Sequence, residues 1–207
     1  MKTNAVQDRF DAEFYRRHYR DPRTRVVTRA EMVRRAEFVA AFMRYAGLRV
    51  RSILDVGCGL GLMRKPLLGE YPTARYVGLE ASDYLCRRYG WEQGSAADWN
   101  TRQRFDLVIC YDVLQYLTAR QASAALRNLG SWCHGVLHFG ALTREDWEQH
   151  CDRRHTDRQV EMRPAAWYRK RLAPAFANAG SGLFLRHGAP AQLWELERPD
   201  GRHTRRC

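Results

Sequence analysis

Lysine is nearly absent from this 207-residue chain: Lys2, Lys65 and Lys170 are the only three among 35 basic residues. The formal net charge is nonetheless +12, which invites a nucleic-acid partner, because an excess of one sign favours non-specific binding. Against that, the arginines stand mostly singly or in pairs, and Arg169-Lys170-Arg171 is the longest basic run. An Arg- and Ala-rich, Lys-poor composition is also what a GC-rich coding bias gives, and a general positive field attracts an acidic small substrate equally well. No apolar run approaches the roughly 20 residues that span a bilayer, and the start, Met1 to Phe10, lacks the apolar core of a signal peptide. The cysteines, Cys58, Cys86, Cys110, Cys133, Cys151 and Cys207, form no C-x-x-C pair; they read as reduced thiols of a cytoplasmic protein, several of them buried. Hydrophobic content of 45% and aromatic content of 12% argue against disorder and, with the length, for one domain with a substantial core.

What the chain does have is a strand that ends in glycines. Arg51–Val56 has the short, β-branched, apolar character of a buried parallel strand. Gly57, Gly59 and Gly61 then follow at alternate positions, and glycine permits positive φ and close approach of a ligand to bare backbone. A dinucleotide fingerprint, G-x-G-x-x-G, is excluded because Leu62 takes its third glycine's place. Asp55, two residues before the first glycine, is poor electrostatics for a pyrophosphate and suits a ligand with an amino group and a positive charge. A second strand, Ala74–Glu80, ends in an acid 19 residues after Gly61, placed to accept both hydroxyls of a ribose.

The stretch D-V-G-C-G-L-G resembles motif I of the class I S-adenosylmethionine-dependent methyltransferases, and Tyr111-Asp112-Val113-Leu114-Gln115-Tyr116-Leu117 is similar to the family's segment after strand four. The resemblance implies a three-layer α/β/α Rossmann-like fold, a seven-stranded, mostly parallel sheet with an antiparallel last strand, and S-adenosyl-L-methionine as cofactor. On that pattern Asp55, Gly57, Gly59, Gly61 and Glu80 hold the cofactor. Asp98, with Ala97 beside it, meets the adenine, Ala81 and Trp99 sandwich the ring, and Tyr111 or Asp112 takes the amino group. Arg23 or Arg25 in an N-terminal lid would pair with the methionine carboxylate, with Tyr15 or Tyr19 as hydrogen-bonding partners; the same tyrosines, with Gln115 and Tyr116, stand at the acceptor's mouth. The Pro-Pro-aromatic and Pro-Cys signatures of base methylation are missing, which removes two nucleic-acid subclasses.

The remaining elements are ordered by local signals. Phe10–Arg20 predicts a helix with aromatics on one flank, stopped by Asp21-Pro22, and Thr28-x-x-Glu31 is a capping box that opens a second helix ending at Gly47. Leu62–Leu68, Ser82–Tyr89 and Arg120–Leu129 read as helices, and 91–95, 105–110 and 135–139 as strands. His138, at the carboxyl end of the last of these, is a candidate base or a hydrogen-bonded structural histidine. Residues 141–163 are dense in charge and read as a substrate lid, in which His155 is a second candidate base and Trp147 and Arg154 are candidate acceptor residues. His150, Cys151, Asp152 and His155 have metal-ligating chemistry but no standard zinc spacing, so no metal is expected. Trp167–Ala179 predicts the last helix, followed by a hairpin of 183–187 and 192–197 around Gly188-Ala189-Pro190-Ala191, and 199–207 reads as a disordered basic tail. One methyltransferase domain over 1–198 is expected, made of an N-terminal unit (1–47), a cofactor-binding core (51–140), the lid (141–164) and a last helix and hairpin (165–198). Its expected reaction is in-line methyl transfer to an O or N atom of a small molecule, with an RNA methyltransferase or a non-catalytic cofactor-binding protein as the alternatives.

Overall fold

The computed structural model describes residues 9–198; the tail at 199–207 lies outside them. α1 (Ala12–Tyr15) passes into a π-helical turn, Arg16–Arg20, and α2 (Arg29–Tyr45) follows. The core then alternates β1 (Ser52–Val56), α3 (Arg64–Glu70), β2 (Arg75–Glu80), α4 (Asp83–Tyr89), β3 (Glu92–Gln93) and β4 (Phe105–Tyr111). After a 3-10 turn at Leu114–Tyr116 come α5 (Ala119–Trp132), β5 (Cys133–Gly140), α6 (Arg144–Gln149), α7 (Ala165–Leu172), β6 (Phe176–Gly180) and β7 (Leu183–Arg186). Among the described residues no helix is long and apolar enough to cross a membrane.

The seven strands form one sheet in the order β3-β2-β1-β4-β5-β7-β6. β1 to β5 are mutually parallel, and β7 alone runs antiparallel, to both β5 and β6. Side chains alternate across a strand, and this sets the layers. Ile53, Leu107, Ile109 and Val136 face α2 and α3, where Val39, Met43, Met63 and Leu67 meet them. Leu54, Val56, Val108 and Leu137 face the opposite way, onto α5 and α7. The sandwich is the three-layer architecture expected, and its cofactor edge is the row of carboxyl ends of β1 to β4.

Local chemistry explains most boundaries. The Thr28–Glu31 capping box is present in full, and Gly47 closes α2 with φ 66°. The first helix is shorter than the aromatic spacing suggests, because its last turn widens to π geometry, with Asp21 N–H reaching Arg16 O at 2.9 Å. α3 starts at Arg64, two residues later than expected, since the glycine turn continues through Met63. The larger correction is at the end of the chain. α7 stops at Leu172, just ahead of Pro174, whose missing N–H ends a helix. Phe176–Gly180 is a strand rather than helix, and the hairpin turns at Gly180-Ser181-Gly182, all three with positive φ. Residues 192–197, expected as its second strand, form a loop and a short 3-10 turn.

Candidate active site

Glu80 is the centre of the carboxyl edge. It is 5% exposed; its Oε2 accepts from Gly59 N–H at 2.8 Å, and its Oε1 from Ala81 and Ser82 N–H at 2.8 and 3.0 Å. The buried Tyr15 ring lies over the glycine turn, and its hydroxyl helps to lower the pKa of the same carboxylate. Burial pushes the Glu80 pKa up, and these donors oppose the push. A carboxylate offers roughly four lone-pair sites, so a ligand hydroxyl would take the place of Tyr15.

The glycine turn is fixed from both sides. Gly57 and Cys58 N–H donate to Leu79 O at 2.7 and 3.2 Å, and Gly57, Gly59 and Gly61 all have positive φ. A Cβ on Gly57 would sit 2.4 Å from Val113, so bare backbone is required there. Gly61 has a different reason: a Cβ on it would meet the Trp91 ring at 2.7 Å. Trp91 also donates its indole N–H to Gly59 O at 3.0 Å. The third glycine therefore serves packing against a tryptophan that holds the loop, a role the sequence did not suggest.

Phe10, Tyr15 and Tyr116 roof this floor, and the cavity beneath also meets Gly57, Ala81 and Asp112. Its volume is about 60 Å³, whereas drug-sized ligands fill roughly 300–1,000 Å³. A nucleoside therefore enters only when the segment at 9–20 lifts. Two contacts hold that segment down: Ser82 Oγ donates to Phe10 O at 2.5 Å, and Arg9 pairs with Asp157 at 2.5 Å while lying over the Tyr116 ring.

The base-binding end departs from expectation. Gly94, Ser95, Ala96, Ala81, Val113 and Leu117 form the wall. Asp98 is exposed, in a turn where its N–H meets Ser95 O at 3.1 Å. Ala97 is turned so that its carbonyl accepts from Asn128, and Trp99 packs edge-on against Trp132, 5.2 Å between centroids. Only two residues of β3 pair with the sheet, so the chain turns earlier and brings 94–96, not 97–99, to the cavity. Ala81 holds its predicted place.

At the other end stand Asp112, Tyr111, Gln115, Arg35 and His138. Asp112 lines the cavity with φ 58° and is exposed at its rim, with Arg35 and Gln115 as its polar neighbours. The Arg35 guanidinium lies 3.6 Å from the centre of the Tyr111 ring, which stacks at 5.3 Å on His138. Arg23, by contrast, is exposed in the turn after Asp21, so the half-buried cation nearest this end is Arg35, on the inner flank of α2 between Met32 and Val39. His138 is 1% exposed, does not line the cavity, and has no hydrogen-bond partner on either ring nitrogen. Burial and the Arg35 charge push its pKa down to about 4, so the ring is neutral at pH 7. Asp55 also faces away: it joins the α2 side of β1, accepts from the Tyr76 hydroxyl at 2.5 Å, and burial pushes it up to about 6.

The segment after β5 is strapped to the cavity wall. Glu161 N–H donates to Gln115 O at 2.8 Å. Arg163, 6% exposed, donates to Leu114 O at 3.0 Å and to Leu117 O, and reaches the Tyr168 hydroxyl at 3.4 Å. Its role had no signal in the sequence. Below the strap a second cavity of about 320 Å³ lies between Arg25 and residues including Asp146, His150, Cys151 and His155. His155 pairs with Asp152 at 3.2 Å. Trp147 and Arg154 line neither cavity: Trp147 is covered by Arg153, and Arg154 is exposed. Tyr19 is partly buried beside Tyr15, 5.4 Å between ring centres. Among the described residues no group of three or more His, Cys, Asp or Glu side chains could hold a metal ion.

Residues 54–138 match the family model described as "Methyltransferase domain". Comparison with curated proteins finds no match. Solved structures with the same fold include the N-methyltransferase NodS from Bradyrhizobium japonicum in complex with S-adenosyl-L-homocysteine, at TM-score 0.60 and 16% identity over 88% of this chain and 99% of that one. Magnesium protoporphyrin IX methyltransferase (ChlM) from Synechocystis, with the same demethylated cofactor bound, aligns at TM-score 0.59 and 22% identity over 84% and 90%. Streptomyces venezuelae DesVI aligns at TM-score 0.56 and 18% identity over 75% and 91%. At such identities the likeness is one of fold.

Proposed function

We propose that this chain, a class I S-adenosylmethionine-dependent methyltransferase, delivers the methyl group to an oxygen or nitrogen atom of a small-molecule acceptor. The observation that carries the reading is the buried Glu80 carboxylate beside backbone left bare at Gly57, in a cavity whose far end holds Asp112. That donor set fits the cofactor: Glu80 for the ribose hydroxyls, residues 94–96 and Ala81 for the base, Asp112 for the amino group and Arg35 for the carboxylate. Bound there, S-adenosylmethionine supplies a methyl on a positively charged sulfur.

The chain's own part is alignment and exclusion of water. Phe10, Tyr15 and Tyr116 cover the cavity, and the strap from Glu161 to Arg163 fixes the wall they close onto. A small acceptor is supported by the second cavity, which adjoins the charged cluster through Asp146. NodS and ChlM, named for methyl transfer to nitrogen and to a porphyrin, lend the class but not the identity of the acceptor. His138 acts as a base only if acceptor binding relieves the burial that keeps it near pKa 4; a hydroxyl or amine that is already deprotonated needs no base. Methyl-labelled cofactor incubated in parallel with a small-molecule extract and with total RNA decides the class. Label in the first supports the reading, and label only in RNA overturns it.

A further inference from the structure

The opposite edge of the sheet carries a feature that methyl transfer does not use. β7 is antiparallel to β5, so its last residue, Arg186, and the first residue of β6, Phe176, lie at the amino-terminal ends of the parallel strands, away from Gly57, Glu80 and Asp112. A cavity of about 520 Å³ opens there, larger than either cavity at the carboxyl edge. Phe176, Phe184 and Leu193 give it apolar walls, and Arg169, Arg186, His187 and Arg198 also line it. Among the described residues none that lines it is acidic.

Arginines gathered around one cavity repel one another, and this repulsion is ordinarily relieved by carboxylates. Here relief is slight. Arg198 has Glu195 at 3.8 Å on the outside. Arg186 is anchored by Nη1 on Ala175 O at 2.7 Å and lies 5.8 Å over the Phe176 ring, while among the described residues its Nε has no partner and no carboxylate pairs with it. Arg169, exposed on α7, is in no ion pair among the described residues either. A planar guanidinium fixed at one corner and unpaired at the others is the arrangement that recognises a carboxylate or phosphate by two parallel hydrogen bonds. The rings beside it would cover an apolar body.

We propose that this cavity is a second ligand site, separate from the cofactor site, for a small organic anion that joins an aromatic or aliphatic body to a phosphate or carboxylate. The size is that of a single small-molecule site. The charges select the anion, and the walls favour an organic anion over a bare one.

Titration of the full chain with phenyl phosphate, inorganic phosphate and benzylamine, all in the presence of saturating S-adenosylhomocysteine, tests it. Phenyl phosphate is expected to bind one to one, at least tenfold tighter than inorganic phosphate, and benzylamine not at all. Arg186→Met should weaken phenyl phosphate roughly tenfold or more, the loss of a charge-assisted pair, while S-adenosylhomocysteine affinity stays within twofold. Because Arg186 also holds Ala175 O, Arg169→Gln, a change on an exposed helix face, provides a second variant and should weaken binding about threefold. Absence of phenyl phosphate binding, its displacement by S-adenosylhomocysteine, or unchanged affinity in both variants would overturn the proposal.

Discussion

The two halves of the carboxyl edge treat their polar side chains in opposite ways. In the cofactor half the polar groups are already satisfied: Glu80 holds three backbone N–H groups, and Trp91 holds Gly59 O. In the acceptor half they are not. Gln115 Oε1 and both ring nitrogens of His138 are buried without partners. A buried polar group left unpaired costs about 1–3 kcal/mol, so the first half is built to keep its shape without a ligand, and the second gives up stability that an acceptor can restore.

Changes in the cofactor half should therefore disturb both binding and fold. Glu80→Ala frees Gly59 N–H and removes the ribose partner, and should weaken S-adenosylhomocysteine on the order of a hundredfold by calorimetry, two charge-assisted bonds being lost. Arg163→Met takes the side-chain donor from Leu117 O and from Leu114 O, which keeps only the Leu117 N–H at 3.2 Å. It should lower unfolding free energy by about 2–3 kcal/mol and raise KM for the cofactor about tenfold while kcat changes little; an equal fall of kcat would mean that the strap acts on chemistry instead.

Asp55 sharpens the contrast, because it belongs to the motif yet sits behind the cavity. Burial lifts its folded pKa to about 6, above the unfolded value near 3.9. Its ionised form thus costs stability above about pH 6, and the cost fades as pH falls toward 4. Asp55→Asn should gain about 1–2 kcal/mol at pH 8 and nothing at pH 4 in denaturant titrations at both values. A gain that is the same at both pH values would sink the assignment.

In the acceptor half, His138→Leu should change unfolding free energy by less than about 1 kcal/mol or raise it, since an apolar side chain replaces an unpaired polar one. A loss of several kcal/mol would show that the ring is structurally bonded and end the comparison. The smallest effect is expected at the roof. Tyr15→Phe removes the hydroxyl that stands beside Glu80, so cofactor association, followed by stopped-flow fluorescence, should speed up about two- to fivefold; slower association would mean that Tyr15 greets the ligand rather than holding its place.

The difference between the halves also governs what could be read from sequence. D-V-G-C-G-L-G was legible because each residue answers a local backbone demand, and Glu80 because a parallel strand must end where its neighbour does. Asp98 was misplaced by a strand that pairs over only two residues, a boundary set by the sheet and not by the segment itself. The hairpin was misplaced because Gly180-Ser181-Gly182 and Gly188-Ala189-Pro190-Ala191 are both good turns, and only packing of Phe176 and Phe184 into one core chooses between them. Arg35 carried a faint signal, a charge on the buried flank of α2, three residues after Met32 and four before Val39. Arg163 carried none, since its partners are backbone carbonyls about 46 to 49 positions away.

The central claim is that Glu80 receives a ribose at the place Tyr15 now occupies. A crystal structure with S-adenosylhomocysteine measures this directly. The account predicts ribose hydroxyls within about 3 Å of the Glu80 carboxylate, with the Tyr15 hydroxyl displaced and residues 9–20 moved. A ligand-bound structure in which the Tyr15 hydroxyl keeps its place beside Glu80, or in which the ribose lies elsewhere, would contradict it.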